Sequence, residues 1–291
     1  MMHPPWSVVL AGGDGLRVSA LTCGRDGAPA PKQYCRLGDR PPMVRWALDR
    51  ACRIMPRRRV LVVVNEAHRR FWERDLADVP GPNLLVQPGN RGTAAGVLLG
   101  LLAVRARANP STPIVFLPSD HYVADEDVLR DSVARALHVV PRDGAGVLLL
   151  GMDPTERDQE YGWILPDGDG EVTGVRRFVE KPPAEAARDL ASVGALVNSF
   201  VIVARAQAMV DLFDRMLPDL LRTFRAHLGG PRHVTDLSGL YQSIPTHDLS
   251  RDVLQRAPKS LSVVRVPSCG WSDLGTPARL LSFLGQPATA A

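Results

Sequence analysis

Short, nearly unbroken apolar runs alternate along this chain with segments whose apolar residues recur every three or four positions. Residues 7–11, 60–64, 84–86, 114–117, 147–152 and 261–266 are runs of the first kind and are predicted strands. Between them, residues 43–55 place Met43, Ala47, Ala51 and Ile54 at helical spacing, and residues 66–79, 93–107 and 125–139 also read as helices. A strand that is apolar at every position is buried on both faces. The pattern therefore predicts an α/β fold with a mostly parallel sheet and helices on both sides. In such sheets ligands bind beyond the carboxyl ends of the strands. From Tyr161 the texture changes. Residues 163–166 and 171–180, joined by the turn Asp167-Gly168-Asp169-Gly170, read as a hairpin, residues 200–204 as a further strand, and the segment up to Gln255 as helical.

Composition narrows this picture. The chain has 291 residues, 45% hydrophobic and 23% charged, close to the globular average, so disorder is not expected. No apolar run approaches a membrane span, and residues 1–6 lack the pattern of a signal peptide. Cys23, Cys35, Cys52 and Cys269 show neither CxxC nor zinc spacing; reduced thiols and a cytoplasmic location are expected. The net charge of +4 is modest and its basic residues are scattered, with Arg57-Arg58-Arg59 the densest group. Without a basic helix or interleaved aromatics, no nucleic-acid partner and no membrane partner are expected. Only Lys32, Lys181 and Lys259 are lysines, so a lysine here marks either an incidental position or one where the broad fork of arginine does not serve.

Five short motifs carry candidate chemistry. Gly12-Gly13-Asp14-Gly15-Leu16-Arg17 follows a strand, and its glycines let backbone N–H groups approach an anion. It is neither a Walker loop nor a good dinucleotide fingerprint, and it also reads as an ordinary turn. Pro31-Lys32-Gln33-Tyr34 holds one of the rare lysines. Ser119-Asp120-His121 ends an apolar strand, where a carboxylate suits a hard cation but Ser and Asp equally suit a helix cap. Phe178-Val179-Glu180-Lys181-Pro182 and Gly270-Trp271-Ser272-Asp273-Leu274-Gly275 each read as a strand end or turn with charged groups.

Taken in order, the glycine loop, PKQ, SDH, YG, VEKP, NS and GWSDLG resemble the nucleotidyltransferases that join a sugar 1-phosphate to a nucleoside triphosphate, and most closely the mannose-1-phosphate guanylyltransferases. The resemblance runs from Val8 to about Leu284. It implies a Rossmann-like, mixed but mostly parallel sheet (the nucleotide-diphospho-sugar transferase fold) in one domain over 1–291. Residues 1–160 would mainly bind nucleotide and residues 161–285 mainly sugar phosphate, with no following β-helix or cupin-like domain. Leu10, Ala11, Gly12, Gly13, Gly15 and Arg17 would hold the triphosphate, and Lys32 its reacting end. Gln87, with Asn90, Arg91, Gly92, Thr93 and Ala94, would lie on the base side. Asp120 and Asp273 would hold Mg²⁺, with Asp120 also touching the nucleotide. Gly162, Glu180 and Asn198 would contact sugar hydroxyls, and Lys181 the sugar phosphate. Catalysis would fall to Arg17, Lys32, Asp120, Lys181 and Asp273. The implied reaction makes GDP-mannose and pyrophosphate from GTP and mannose 1-phosphate, a step that supplies polysaccharide synthesis.

The chain also departs from the family pattern. Leu16 and Ala20 stand where relatives carry Thr and Pro, Phe200 replaces the Gly of Asn-Ser-Gly, and Thr246-His247-Asp248 replaces Ser-x-Asp. The alternatives are another pair, such as UTP or dTTP with glucose 1-phosphate, or a non-catalytic nucleotide-sugar-binding regulator. A glycosyltransferase metal site at Asp167-Gly168-Asp169 is not expected, because these residues form a hairpin turn. Oligomeric state, homodimer included, is left open.

Overall fold

The chain's structure is a computed structural model that describes residues 3–15, 18, 21–22, 29–140, 146–155, 159–228 and 237–285. Nine strands form one sheet: β1 (Trp6–Ala11), β2 (Val60–Asn65), β3 (Leu84–Gln87), β4 (Pro113–Pro118), β5 (Val147–Met152), β6 (Gly162–Asp167), β7 (Val172–Glu180), β8 (Leu196–Arg205) and β9 (Leu261–Val266). The strand order is β3-β2-β1-β4-β8-β5-β9-β7-β6, with β6 also pairing to β8. The helices that bear on the site are α1 (Met43–Ile54), α2 (Arg69–Asp75), α3 (Gly92–Arg105), α4 (Glu126–Val139), α5 (Ala184–Ser192), α6 (Ala206–Met216), α7 (Pro218–Leu228), α8 (Ser238–Ser243) and α9 (Pro277–Leu284).

The alternation of the pleat sorts the core into two layers. Val8 faces one side with residues of α3, α6 and α7, and Val9 faces the other with residues of α1, α2 and α4. Helices therefore cover both faces, as the continuous apolar strands imply.

The parallel expectation holds only for part of the sheet. β1, β2, β3 and β4 run parallel to one another, as do β5 and β9. β8 is antiparallel to both β4 and β5, and β6 and β7 are antiparallel to all their partners. Mixed, rather than mostly parallel, is the accurate description. Burial on both faces gives the same apolar run whichever way a strand points, so the pattern cannot reveal direction. The pairing of β6 with β8 closes β8, β5, β9, β7 and β6 into a small ring.

Strand β8 begins earlier than the apolar run at 200–204, and so contains Asn198. The expected helix at 66–79 is shorter: a 3₁₀ turn at Glu66–His68, then α2. The hairpin is present as β6–β7, and Arg176 pairs with Asp167 across it at 3.1 Å. Cys52 and Cys269 are free thiols, and Cys23 lies outside the described residues. No helix among the described residues is long and apolar enough to cross a membrane.

Candidate active site

The carboxyl ends of β1, β2, β3 and β4 share one edge because these strands are parallel. β8 is antiparallel, so its beginning, with Asn198, joins the same edge beside β5. A cleft of about 490 Å³ opens there. It is lined by Leu10 near the end of β1 and Gly12, Gly13 and Gly15 after it, by Lys32, by Gln87 at the end of β3, and by Gly92 and Thr93 at the start of α3. Asp120, Gly162, Glu180, Lys181, Asn198 and Asp273 complete the same wall. Lys32 and Asp273, 241 positions apart in sequence, thus meet in one volume.

Local chemistry explains how each piece is held. Pro31 sets the backbone entering a 3₁₀ turn at Lys32–Tyr34. Gln33 Nε2 donates to the carbonyls of Ala11 (3.0 Å) and Gly13 (2.7 Å), tying this turn to the glycine loop. Gly15 has φ +63°, and a Cβ there would lie 2.8 Å from the Lys32 nitrogen. The fit of loop against turn therefore requires glycine at this position.

Lys32, only 3% exposed, donates to Asp120 Oδ2 at 3.0 Å and to the carbonyl of Asp273. The two aspartates come from separate strand ends. A backbone bridge joins them, with Tyr122 N donating to the Ser272 carbonyl (2.9 Å) and Ser272 N to the Tyr122 carbonyl (3.0 Å). The indole of Trp271 donates to His121 Nδ1 at 3.3 Å. Burial alone would raise the Asp120 carboxyl, but the Lys32 ammonium and His121 outweigh it and hold Asp120 below the ordinary range. Burial pushes His121 down to about 4 despite Asp120 beside it, so the imidazole is neutral at pH 7. Asp273 Oδ1 accepts from Gly275 N at 3.0 Å and pairs with Arg279 Nε at 3.3 Å.

Register assembles the opposite end. Gly162 lies across from Glu180 on β7, and a Cβ on Gly162 would fall 2.6 Å from Glu180 Oε2 and 3.4 Å from Asn198 Cβ. Among the described residues, three non-glycines have a left-handed backbone: Lys181 (φ 46°) and Phe200 (φ 58°) line this cleft, and Leu274 (φ 45°) lies between its lining residues Asp273 and Gly275. Strain of this kind gathers where a site must aim particular groups.

Burial, reinforced by Asp248, pushes the Glu180 carboxyl up to about 7. The folded chain thus holds this proton more tightly than the unfolded chain, whose glutamate titrates near ~4.3. The resulting stabilisation is complete below that value and is lost as pH rises through the folded one. The expected result is that wild-type Tm, relative to Glu180→Gln, falls as pH is raised from about 5 to about 8, read by thermal melts in matched buffers.

Two expected ligands lie elsewhere. Arg91 does not line the cleft: its Nε donates to the Tyr241 carbonyl at 2.5 Å, which turns it toward α8. Ala11 is fully buried at the end of β1, and its carbonyl is taken by Gln33. Arg17, Leu16 and Ala20 lie outside the described residues. Asp167-Gly168-Asp169 is absent from the cleft lining.

The structure also shows contacts in and behind the cleft wall that the motifs did not specify. Asp14 and Asn90 clasp across it, with Asn90 Nδ2 donating to Asp14 Oδ2 at 2.7 Å. Asp248, from the Thr-His-Asp segment, lines the wall and accepts from Thr93 Oγ1 at 3.3 Å. Tyr241 donates to Gln87 Oε1 at 3.0 Å. No sequence signal marks Tyr241, which sits 154 residues from its partner.

The site can bind a polyanion at the glycine loop and Lys32, hold a hard cation at two carboxylates, and bind a second polar ligand around Glu180, Lys181 and Asn198. A family model described as nucleotidyl transferase matches residues 6–286. A xanthan biosynthesis protein of Xanthomonas campestris is 27% identical over 288 residues, covering 96% of this chain and 59% of that protein. A mannose-1-phosphate guanylyltransferase of Salmonella typhimurium is 28% identical, covering 93% of this chain and 58% of that protein. The chain thus spans about three fifths of the length of these curated relatives. A crystal structure described as a mannose-1-phosphate geranyltransferase from Thermus thermophilus superimposes with a TM-score of 0.82 at 28% identity, covering 97% of this chain and 80% of that one. A UDP-glucose pyrophosphorylase complexed with UDP-glucose, at 15% identity and a TM-score of 0.60, shares the fold.

Proposed function

From a chain that belongs to the nucleotidyl transferase family, we propose an enzyme that transfers the guanylyl group of GTP to mannose 1-phosphate, forming GDP-mannose and releasing pyrophosphate. One observation carries this reading. A single cleft joins the glycine loop and the Lys32–Asp120–Asp273 cluster to the Glu180–Lys181–Asn198 wall, so two polyanions can be held end to end. The names of the similar guanylyltransferases support the choice of substrates.

The chemistry needs alignment and charge compensation more than proton removal. The attacking phosphate oxygen of the sugar phosphate is already anionic at neutral pH, because its second pKa is about 6. It forms a bond to the α-phosphorus of the triphosphate as the bond to the β-phosphate bridging oxygen breaks, and pyrophosphate leaves with that electron pair. Lys32, anchored by Asp120, compensates charge at the α-phosphate. Lys181, set by its left-handed backbone, holds the sugar phosphate on the opposite side for in-line attack.

The donors fit Mg²⁺: Asp120 and Asp273 offer hard carboxylate oxygens, few enough that a small ion would keep phosphate or water ligands. The Lys32 ammonium, between the Asp120 carboxylate and the Asp273 backbone carbonyl, marks a corner of the cleft that already favours positive charge. When bound, Mg²⁺ supplies charge neutralisation at the phosphates.

The test is pyrophosphate release with Mg²⁺ across GTP, ATP, UTP, CTP and dTTP, each with mannose 1-phosphate and glucose 1-phosphate. Turnover is expected with GTP and mannose 1-phosphate; none with any pair, from folded protein, overturns the reading. Phe200, which lines the cleft where relatives carry glycine, favours a second reading in which the sugar phosphate differs. Turnover confined to glucose 1-phosphate would select it.

A further inference from the structure

We infer that Tyr241 is a positioning residue that fixes which end of the Gln87 amide faces the nucleotide, and thereby biases the site toward bases carrying an oxo group over an amino group. This rests on the proposed nucleotidyl-transfer reading of the cleft. Gln87 closes β3 and is only 4% exposed, yet it lines the cleft. Two glycines make room for its amide. A Cβ on Gly12 would fall 2.1 Å from Nε2, and one on Gly96 would fall 3.4 Å from Oε1.

In this slot the amide has two orientations of nearly equal shape. Tyr241 distinguishes them. Its phenol, 3.0 Å away, donates to Oε1, which is its one acceptor among the described residues. Turning the amide over would place an NH₂ there instead and leave the buried phenolic hydrogen without an acceptor. Burial raises the Tyr241 pKa, so the phenol keeps that hydrogen at any physiological pH.

The tyrosine is itself held. Arg91 Nε donates to its carbonyl at 2.5 Å, and its ring meets Phe224 edge to face with centroids 6.1 Å apart. Arg91, within the base-side motif, thus acts by anchoring α8. With Oε1 committed to Tyr241, Gln87 presents Nε2, a pure donor, which has no hydrogen-bond acceptor among the described residues. An oxo group such as O6 of a 6-oxopurine accepts from it. A 6-amino group sets donor against donor.

ITP and ATP test this directly, since their purines differ only at the C6 oxo or amino group and the adjoining N1 proton. Binding is measured by titration calorimetry with Mg²⁺, and pyrophosphate release is followed in parallel. Wild type is expected to bind ITP at least about tenfold tighter than ATP, and Tyr241→Phe to narrow that ratio to about threefold or less, chiefly by gaining ATP. A structural role alone would weaken both nucleotides equally and leave the ratio in place. Gln87→Glu, whose cleft-facing atom can only accept, should shift the ratio toward ATP whether or not Tyr241 is present.

A ratio unchanged in folded Tyr241→Phe overturns the inference. If that variant does not fold, an unchanged ratio in Gln87→Glu does so. Failure of the two readings is distinguishable. Nucleotide binding with the expected ratios but no pyrophosphate release leaves this inference standing and removes the proposed reaction. Turnover with unaltered ratios does the reverse. Absence of binding to either nucleotide overturns both.

Discussion

Asp120→Asn should lower kcat for pyrophosphate release by about 10²- to 10³-fold, with a much smaller change in the triphosphate KM, as found when one preorganised charge is removed from a reacting centre. The variant keeps the size of the side chain and removes its charge. Lys32 then loses the carboxylate 3.0 Å from its ammonium and keeps the Asp273 carbonyl as its remaining anchor in the cluster. Both the lysine and any bound cation lose the anion that fixes their position. Because these groups act through one another, Lys32→Ala should cost a comparable factor. The double variant should be little worse than either single one. Steady-state kinetics of all three, alongside thermal melts, decides the matter. A loss below about tenfold in folded Asp120→Asn would remove this cluster from the reacting centre.

Gly92→Ala should be the most damaging small substitution for stability. Gly92 opens α3 with φ +80°, a conformation that costs an L-residue roughly 1–2 kcal/mol. Its Cβ would also lie 2.1 Å from the His247 carbonyl oxygen and 2.8 Å from the carbonyl carbon, and both are backbone atoms that cannot rotate away. This contact is the seam between the base-side segment and the 247–249 strip. Ala94 N donates to the His247 carbonyl at 3.1 Å, His247 N to the Arg91 carbonyl at 3.2 Å, and Leu249 N to Thr93 Oγ1 at 2.7 Å. Forcing the seam open adds to the backbone cost, for a total of about 3 kcal/mol and a Tm lower by roughly 6–12 °C. Nucleotide affinity should fall with it, since Thr93 and Asp248 both line the cleft. Gly89→Ala, three residues earlier, meets nothing within 4 Å and serves as the control, with Tm expected to stay within about 2 °C of wild type.

Much of the molecule is legible before folding. Apolar runs located most strands, since burial on both faces leaves its mark on consecutive residues. The motif order identified the family and pointed to Lys32, Asp120, Glu180, Lys181, Asn198 and Asp273, which the fold gathers into one cleft. What those motifs encode is local: a glycine where φ is left-handed, a proline that begins the Lys32 turn, and a charged residue at a strand end.

Tertiary structure decided what depends on direction, register and distant partners. The antiparallel course of β8 cannot be read from an apolar run that looks the same in both directions. Yet it is this course that brings Asn198 to the edge shared by the carboxyl ends of β1 and β4. Arg91 carries the same guanidinium wherever it points, and only packing turned it from the cleft to the Tyr241 carbonyl. Tyr241 bears no motif at all; its bearing on Gln87 exists because α8 packs beside the end of β3 across 154 residues of chain. By itself the sequence determined which chemical groups are present and the local turns that present them. The three-dimensional fold decided which of those groups meet, because contact between distant residues is set by pairing and packing and leaves no periodic trace in either segment alone.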